Sequence, residues 1–286
     1  MKYNKFKTIF NTTIFEKSKI DLISKVAKYP HRYIGLFRPT KPKAKLLQNL
    51  LQSHEIRFGD AFEKLIEEYL KENNFTILDN HFTDNNGNRL NVDQFFKKNN
   101  HYYFVEQKIR DDHDSTKKRG QINNFEKKLE IIIDKFGDDN LSGYFYFIDP
   151  DLIKNKNFYE EELEKMSNDY GVELLNCYGK ELFEKLGLNS IWEEIIIYLK
   201  KWRDELPDIP EINFDKEVEQ SFNEIKDLSP SIFRKLFSND ELFEQIVKTI
   251  FPGNKVLKML VNYFNNKNTK IYKTLTELIE DKMKKY

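Results

Sequence analysis

The stretch that most constrains the fold is NVDQFFKKNNHYYFVEQKI, from Asn91 to Ile109. Two runs rich in Phe, Tyr and Val flank the polar KKNN, which reads as two strands joined in a hairpin. Side chains alternate across a strand, so Glu106 and Lys108 share a face with Phe104, while Val105, Gln107 and Ile109 face the other way. With KKNN as a four-residue loop, Phe96 pairs with His101 and Asp93 lies opposite Phe104. Asp93 is then the diagonal neighbour of Glu106, about 7–8 Å away between backbones, near enough for both carboxylates to reach one ion. A one-residue change in loop length would turn Asp93 to the opposite face.

Two readings of that face stand open. One is a solvated strand with a Glu/Lys ladder. The other is a centre for phosphodiester chemistry. Hard carboxylate oxygens suit Mg²⁺, which often binds through only one or two carboxylates plus substrate phosphate. Such an ion polarises the phosphoryl oxygen and activates a water. A neighbouring lysine orients the water and stabilises developing charge.

The surrounding chain is organised as helix, three strands, helix, strand, helix, strand, an α/β layout with a mixed sheet. In SHEIRFGDAFEKLIEEYLKENNF, the residues Phe58, Ala61, Phe62, Leu65, Ile66 and Tyr69 repeat at helical spacing, with Ser53 as the expected N-cap. FTILDNHF and RLNVDQFF read as strands around the turn TDNNGN. GQINNFEKKLEIIIDKFG reads as a helix, and SGYFYFID as a buried strand. Residues 14–28 form a helix, and the prolines of YPHRYIGLFRPTKPKAK make the next stretch an irregular basic connection. RDELPDIPEINFD reads as a linker, after which residues 216–286 are helical with breaks at SPS, FPGN and NNKNT. The expected division is an N-terminal helical and basic segment over 1–54 packed on the core, a core over 55–204 and a helical C-terminal region over 205–286.

The 286 residues carry no net charge, so any attraction to a polyanion must come from local distribution. From Leu22 to His54 there is no Asp or Glu, while Lys25, Lys28, Arg32, Arg38, Lys41, Lys43 and Lys45 all fall there. A single cysteine, Cys177, excludes an internal disulfide and a cysteine-based zinc cluster. There is no phosphate-cradling loop, no G-x-S-x-G and no Cys/His dyad, so no nucleotide cofactor is expected. Neither a signal-peptide core nor a membrane-length apolar run is seen, and the expectation is a cytoplasmic protein without membrane contact.

The segment NVDQFF…YYFVEQKIR resembles the PD-(D/E)XK nuclease motif, with Val92 where the name's proline would stand. RFGDAFEKLIEEYLKENNF resembles the first helix of that superfamily, where a glycine is followed four residues later by a glutamate. Over residues 55–150 the resemblance implies a nuclease core, a mixed central sheet flanked by helices, with the helical C-terminal region as an addition. It makes Asp93 and Glu106 metal ligands, Lys108 the water-orienting residue and Glu63 a supplementary acid, with Glu55 as the rival for that role. Gln121, opening the next helix, matches a polar residue that assists the site in relatives. The implied cofactor is Mg²⁺, with Mn²⁺ as a substitute.

A stand-alone chain with such a core most resembles a type II restriction endonuclease. That implies a homodimer cutting double-stranded DNA at a short site and leaving 5′-phosphates. In that setting Arg110, Asp114, Ser115, Lys117, Lys118, Arg119 and Gln121 are expected along the DNA, with Arg38, Lys41 and Lys43 clasping it from the basic segment. For the acids of RDDHDSTKKRGQ, base reading and an intraloop salt-bridge lattice are both open, the lattice favoured for most of them. His113 as a general base is the minor reading. A repair, junction or defence nuclease of low specificity and a non-catalytic DNA-binding module remain the alternatives.

Overall fold

The computed structural model describes residues 1–83, 87 and 89–286. It divides into two compact units, Met1–Ile9 with Gly59–Glu205, and Phe10–Phe58 with Leu206–Tyr286. Two of the three divisions fall inside helices, α1 (Tyr3–Phe15) and, after α2 (Ser18–Lys28) and α3 (His31–Ile34), α4 (Pro42–Glu72); the third follows Glu205, between helices.

The first unit is built on a five-stranded mixed sheet. Its strands are β1 (Thr76–Ile77), β4 (Gln94–Lys98), β5 (His101–Lys108), β6 (Leu141–Phe147) and β7 (Glu173–Tyr178), in the order β1-β4-β5-β6-β7. A separate pair, β2 (His81–Thr83) and β3 (Arg89–Asn91), stands beside it in sequence. The stretches FTILDNHF and RLNVDQFF therefore each contribute two short strands instead of one. The turn between them falls largely on Asp84, Asn85, Asn86 and Asn88, which lie outside the described residues.

β4 and β5 are antiparallel, whereas β5, β6 and β7 run parallel. The crossovers are α5 (Ser115–Phe136) and α6 (Lys156–Tyr170). Every residue of β6 is buried, as a parallel central strand covered on both faces requires. One face packs Phe95, Phe104, Phe145 and Phe147 against Ile122, Phe125, Leu129 and Ile132 of α5 and Tyr159 and Leu163 of α6. Gly143 makes room for this layer, since a Cβ there would stand 2.3 Å from the Phe104 ring. On α4, the predicted stripe Ala61, Phe62, Leu65, Ile66 and Tyr69 is buried. Helices α7 (Glu181–Lys185) and α8 (Asn189–Asp204) complete the unit.

The second unit is helical. Leu22, Ile23 and Val26 of α2 and Leu46 and Leu50 of α4 join one apolar cluster with the C-terminal helices. Those helices are α9 (Val218–Ile225), α10 (Pro230–Phe237), the irregular α11 over 240–250, α12 (Lys255–Asn265) and α13 (Lys270–Lys285). Breaks fall at the three expected places, and a further, unexpected one falls at Ser238 and Asn239. Among the described residues no helix is long and apolar enough to cross a membrane.

Several local expectations are corrected. Residues 14–28 are not one helix, since α1 ends at Phe15 and α2 begins at Ser18, and the stretch expected to be irregular holds α3 and the start of α4. Ser53 caps nothing, because α4 begins eleven residues earlier at Pro42, where the missing N–H of proline is harmless. Its hydroxyl instead bonds the Asn49 carbonyl inside the helix, at 2.9 Å. The KKNN loop is a two-residue turn, since Lys98 pairs with His101 and Asn99 takes the left-handed conformation at φ 55°.

Candidate active site

The shorter turn moves the β4–β5 register by two residues, an even number, and so preserves which side chains share a face. Gln94 pairs with Val105. Asp93 lies just before β4, where that register carried one step further would set it opposite Glu106 rather than diagonal to it. An Asp93 carboxylate oxygen accepts from the Gln107 backbone N–H at 2.6 Å, locking the acid beside the end of β5.

Lys108 lies where three oxygens converge. Its Nζ is 2.7 Å from Glu106 Oε1, 2.8 Å from the Gln107 carbonyl and 3.5 Å from Asp93 Oδ2. The other Glu106 oxygen, Oε2, accepts from Lys128 Nζ, which reaches it from α5. Glu106 and Lys128 are both buried. Sequence reasoning missed Lys128, although the signal is present. Phe125, Lys128, Leu129 and Ile132 follow the i, i+3, i+4, i+7 pattern of one face, so a lysine occupies an apolar stripe.

The electrostatics follow from this crowding. Desolvation alone would lower the Lys108 ammonium, but Glu106 and Asp93 outweigh it and raise its pKa. Asp93 is raised, first by burial and then by Glu106, against Lys108, Lys128 and the Gln107 N–H. Glu63 is pushed up to about 8, mainly by burial and then by Asp93, Asp60 and Glu106, with Lys108 opposing. Burial raises a carboxyl because the charged form loses its hydration, and like charges add to the effect.

Helix α4 meets the sheet through backbone carbonyls. Gln94 Nε2 donates to the Glu63 carbonyl at 3.3 Å, and Gln107 Nε2 to that of Gly59 at 3.2 Å. Gln107 and Glu106 alternate on β5, so α4 and α5 cover opposite faces. Glu63 thus shares the field of Asp93 and Glu106 without joining them. Among the described residues no three His, Cys, Asp or Glu side chains gather closely enough to hold a metal ion. Glu55 is exposed, eight residues earlier on α4 and in the other compact unit.

A hard divalent ion fits the donor set on a different ground. The two carboxylates and one carbonyl already hold a cation, the Lys108 ammonium. All three are the oxygen type that Mg²⁺ takes, and two carboxylates suffice for it.

Beyond β5, two acids of the loop are held by hydrogen bonds. Asp111 is fully buried and accepts from Asn155 N at 2.6 Å, Asn155 Nδ2 at 2.7 Å and the Tyr178 hydroxyl at 3.0 Å. Asp114 caps α5, accepting from the backbone N–H groups of Thr116 and Lys117 at 3.0 and 2.8 Å. Hydrogen bonds to the charged form hold its carboxyl below the usual range. Buried His113 has its pKa lowered, chiefly by desolvation. Its Nε2 lies 3.4 Å from Gln121 Nε2, and Gln121 Oε1 accepts from Tyr159 at 3.2 Å. On α5 it is therefore Lys128, not Gln121, that touches Glu106.

Ser115 opens α5, with Lys117 and Arg119 exposed on its first turns and Lys118 over the Phe158 ring at 4.2 Å. Arg110 is exposed just past β5. Arg38, Lys41 and Lys43 belong to the helical unit, at and before the start of α4.

A family model described as type II restriction endonuclease, HinfI, matches residues 2–83 and 78–203 of the chain. No curated protein and no solved structure matches it.

Proposed function

The chain belongs to the HinfI type II restriction endonuclease family, and from that premise we propose that it hydrolyses phosphodiester bonds of double-stranded DNA with Mg²⁺, leaving 5′-phosphates. The observation that carries this reading is the convergence of Asp93, Glu106 and the Gln107 carbonyl on one cationic point at the end of β5. Those oxygens would hold the ion, with Glu63 as a further acid nearby. When bound, Mg²⁺ supplies polarisation of the phosphoryl oxygen and a more acidic water.

The side chains divide the remaining work. Lys108, whose pKa Glu106 and Asp93 raise in the ion-free site, is an ammonium there. It therefore donates hydrogen bonds, orienting the attacking water and offsetting charge that develops on the phosphate. Lys128 is a positioning residue. By occupying Oε2 of Glu106 it leaves Oε1 for the side that Asp93 and Gln107 face. Asp111 and Asp114 fix the loop that carries His113 and starts α5, so that Lys117 and Arg119 can contact the DNA backbone without reading its sequence. One such centre per chain calls for two copies to cut both strands together, and we assign a homodimer on that ground.

The test is digestion of unmethylated plasmid DNA by the purified protein with Mg²⁺ and with EDTA. Discrete fragments that need Mg²⁺ and whose ends ligate without prior phosphorylation are the expected result. A Mg²⁺-dependent smear would replace site-specific cleavage with a nuclease of low specificity. DNA left intact under both conditions would overturn the reading.

A further inference from the structure

The segment 35–41, GLFRPTK, joins α3 to α4 in the helical unit. Leu36 is 88% exposed and Phe37 99%, whereas the other large apolar side chains described as exposed lie between 38% and 65%. Single exposed apolar residues are ordinary. Two adjacent ones left almost wholly in water forgo the burial that drives folding, and nothing in their own unit recovers it.

The presentation is braced. A Cβ on Gly35 would stand 2.5 Å from the His31 carbonyl, so the chain can turn this tightly only with glycine. Arg38 Nε donates to the same carbonyl at 3.3 Å, and the Arg38 backbone N–H to the Leu36 carbonyl at 2.9 Å. Pro39 and Pro42 restrict the backbone beyond. The charge around the pair has one sign along the chain. Arg32, Arg38, Lys41, Lys43 and Lys45 flank it within a stretch that has no acid from residue 22 to 54. Glu241 and Gln245 line a hollow shared with the loop.

A rigid apolar tip framed by cations is complementary to duplex DNA. Lysine and arginine meet the phosphates and release counterions, while an inserted Phe or Leu partly unstacks a base step. We propose that Leu36 and Phe37 form a wedge that enters the DNA duplex between base pairs while the surrounding basic residues hold the backbone. This inference rests on the reading of the chain as an endonuclease of double-stranded DNA.

The experiment uses the full chain in EDTA on relaxed plasmid DNA in the presence of a metal-independent topoisomerase, with the linking number read after the protein is removed. The wild type is expected to shift the topoisomer distribution in proportion to the protein bound. The double variant L36S/F37S is expected to melt at the same temperature and keep the same dependence of binding on salt. It should lose most of the topoisomer shift and bind about tenfold more weakly. An equal shift by variant and wild type would overturn the wedge, as would a wild type that binds plasmid without any shift. If the variant instead dissociates a self-assembly seen for the wild type in sedimentation, with the topoisomer shift unchanged, the pair is a contact between copies and the wedge is overturned. A wild type that cuts plasmid with Mg²⁺ while failing these tests loses only the wedge. One that neither cuts nor binds loses the endonuclease reading with it.

Discussion

The two compact units treat charge differently. The sheet unit buries Gln94, Glu106, Gln107, Asp111, His113, Lys128 and Asn155, and four of these form the Glu106–Lys128 pair and the Asp111–Asn155 network. The helical unit buries chiefly aliphatic and aromatic side chains. Its buried Asp215 serves the backbone, accepting from the N–H groups of Gly253 and Val256 at 2.7 and 2.8 Å. Burying an ion pair repays its desolvation only with good geometry and further hydrogen bonds. The sheet unit meets that condition with both partners buried at the place where the proposed chemistry occurs, whereas the helical unit's buried Lys282 pairs with the exposed Asp240. One unit should therefore respond to loss of charge, and the other to loss of volume. Both tryptophans, Trp192 and Trp202, fall in the sheet unit, so fluorescence reports on it alone, while helical circular dichroism weighs both.

The sharpest break in that comparison is Lys108→Ala. It should reduce cleavage at least about 1000-fold, or about 4 kcal/mol in the barrier, while DNA binding in EDTA persists. Retained cleavage would remove Lys108 from the chemistry. Next is Leu260→Ala in the helical unit, where the side chain is fully buried. A loss of about 3 kcal/mol is expected, seen in circular dichroism with the tryptophan transition unmoved. A shift of both signals together would mean that the units unfold as one.

Lys128→Met should cost about 2–3 kcal/mol in EDTA, since Lys108 still pairs with Glu106. Here fluorescence should report the change. Added Mg²⁺ should raise the variant's melting temperature more than the wild type's, because a cation restores the missing charge. Equal rises would show that Lys128 does not compete for Glu106.

The smallest effect concerns Glu63 and pH. In EDTA the native carboxyl keeps its proton up to about pH 8, whereas the unfolded chain releases it near 4.5. The native state binds more protons through that window, so its stability falls as pH rises from 4.5 to 8. Glu63→Gln should flatten this slope and gain about 1–2 kcal/mol at pH 8, a discounted share of the full shift because the residue is partly exposed. Denaturant titrations at pH 5 and pH 8 measure it, and parallel slopes for both proteins would contradict it.

Much of this architecture can be read from residues alone. The stripe from Ala61 to Tyr69 is strongly periodic, and the run of β6 is too continuously apolar for any surface. The pairing of Asp93 with Glu106 survives a misjudged turn because a shift of two residues returns every side chain to its face. What escapes local reading is set by partners distant in sequence. Helix α4 continues through the polar residues Gln48, Asn49, Gln52 and Ser53 because Leu46 and Leu50 are held in a cluster with the C-terminal helices. Asp111 looks like a loop acid until Asn155 and Tyr178 arrive from 44 and 67 residues away. Lys128 was legible as a lysine in an apolar stripe, but its partner is named only by the packing of α5 on β5.

The division inside α4 has a consequence for how the chain is made. A ribosome completes the sheet unit at Glu205 without interruption after Gly59. The first half of the helical unit emerges early and then waits for Leu206 onward, a gap of nearly 150 residues. At about 5–20 residues per second that is roughly 7–30 s during which Leu22, Ile23, Val26, Leu46 and Leu50 have no finished core to enter. The nascent chain thus passes through a stage in which the sheet unit is complete while an apolar helical segment is still unclaimed.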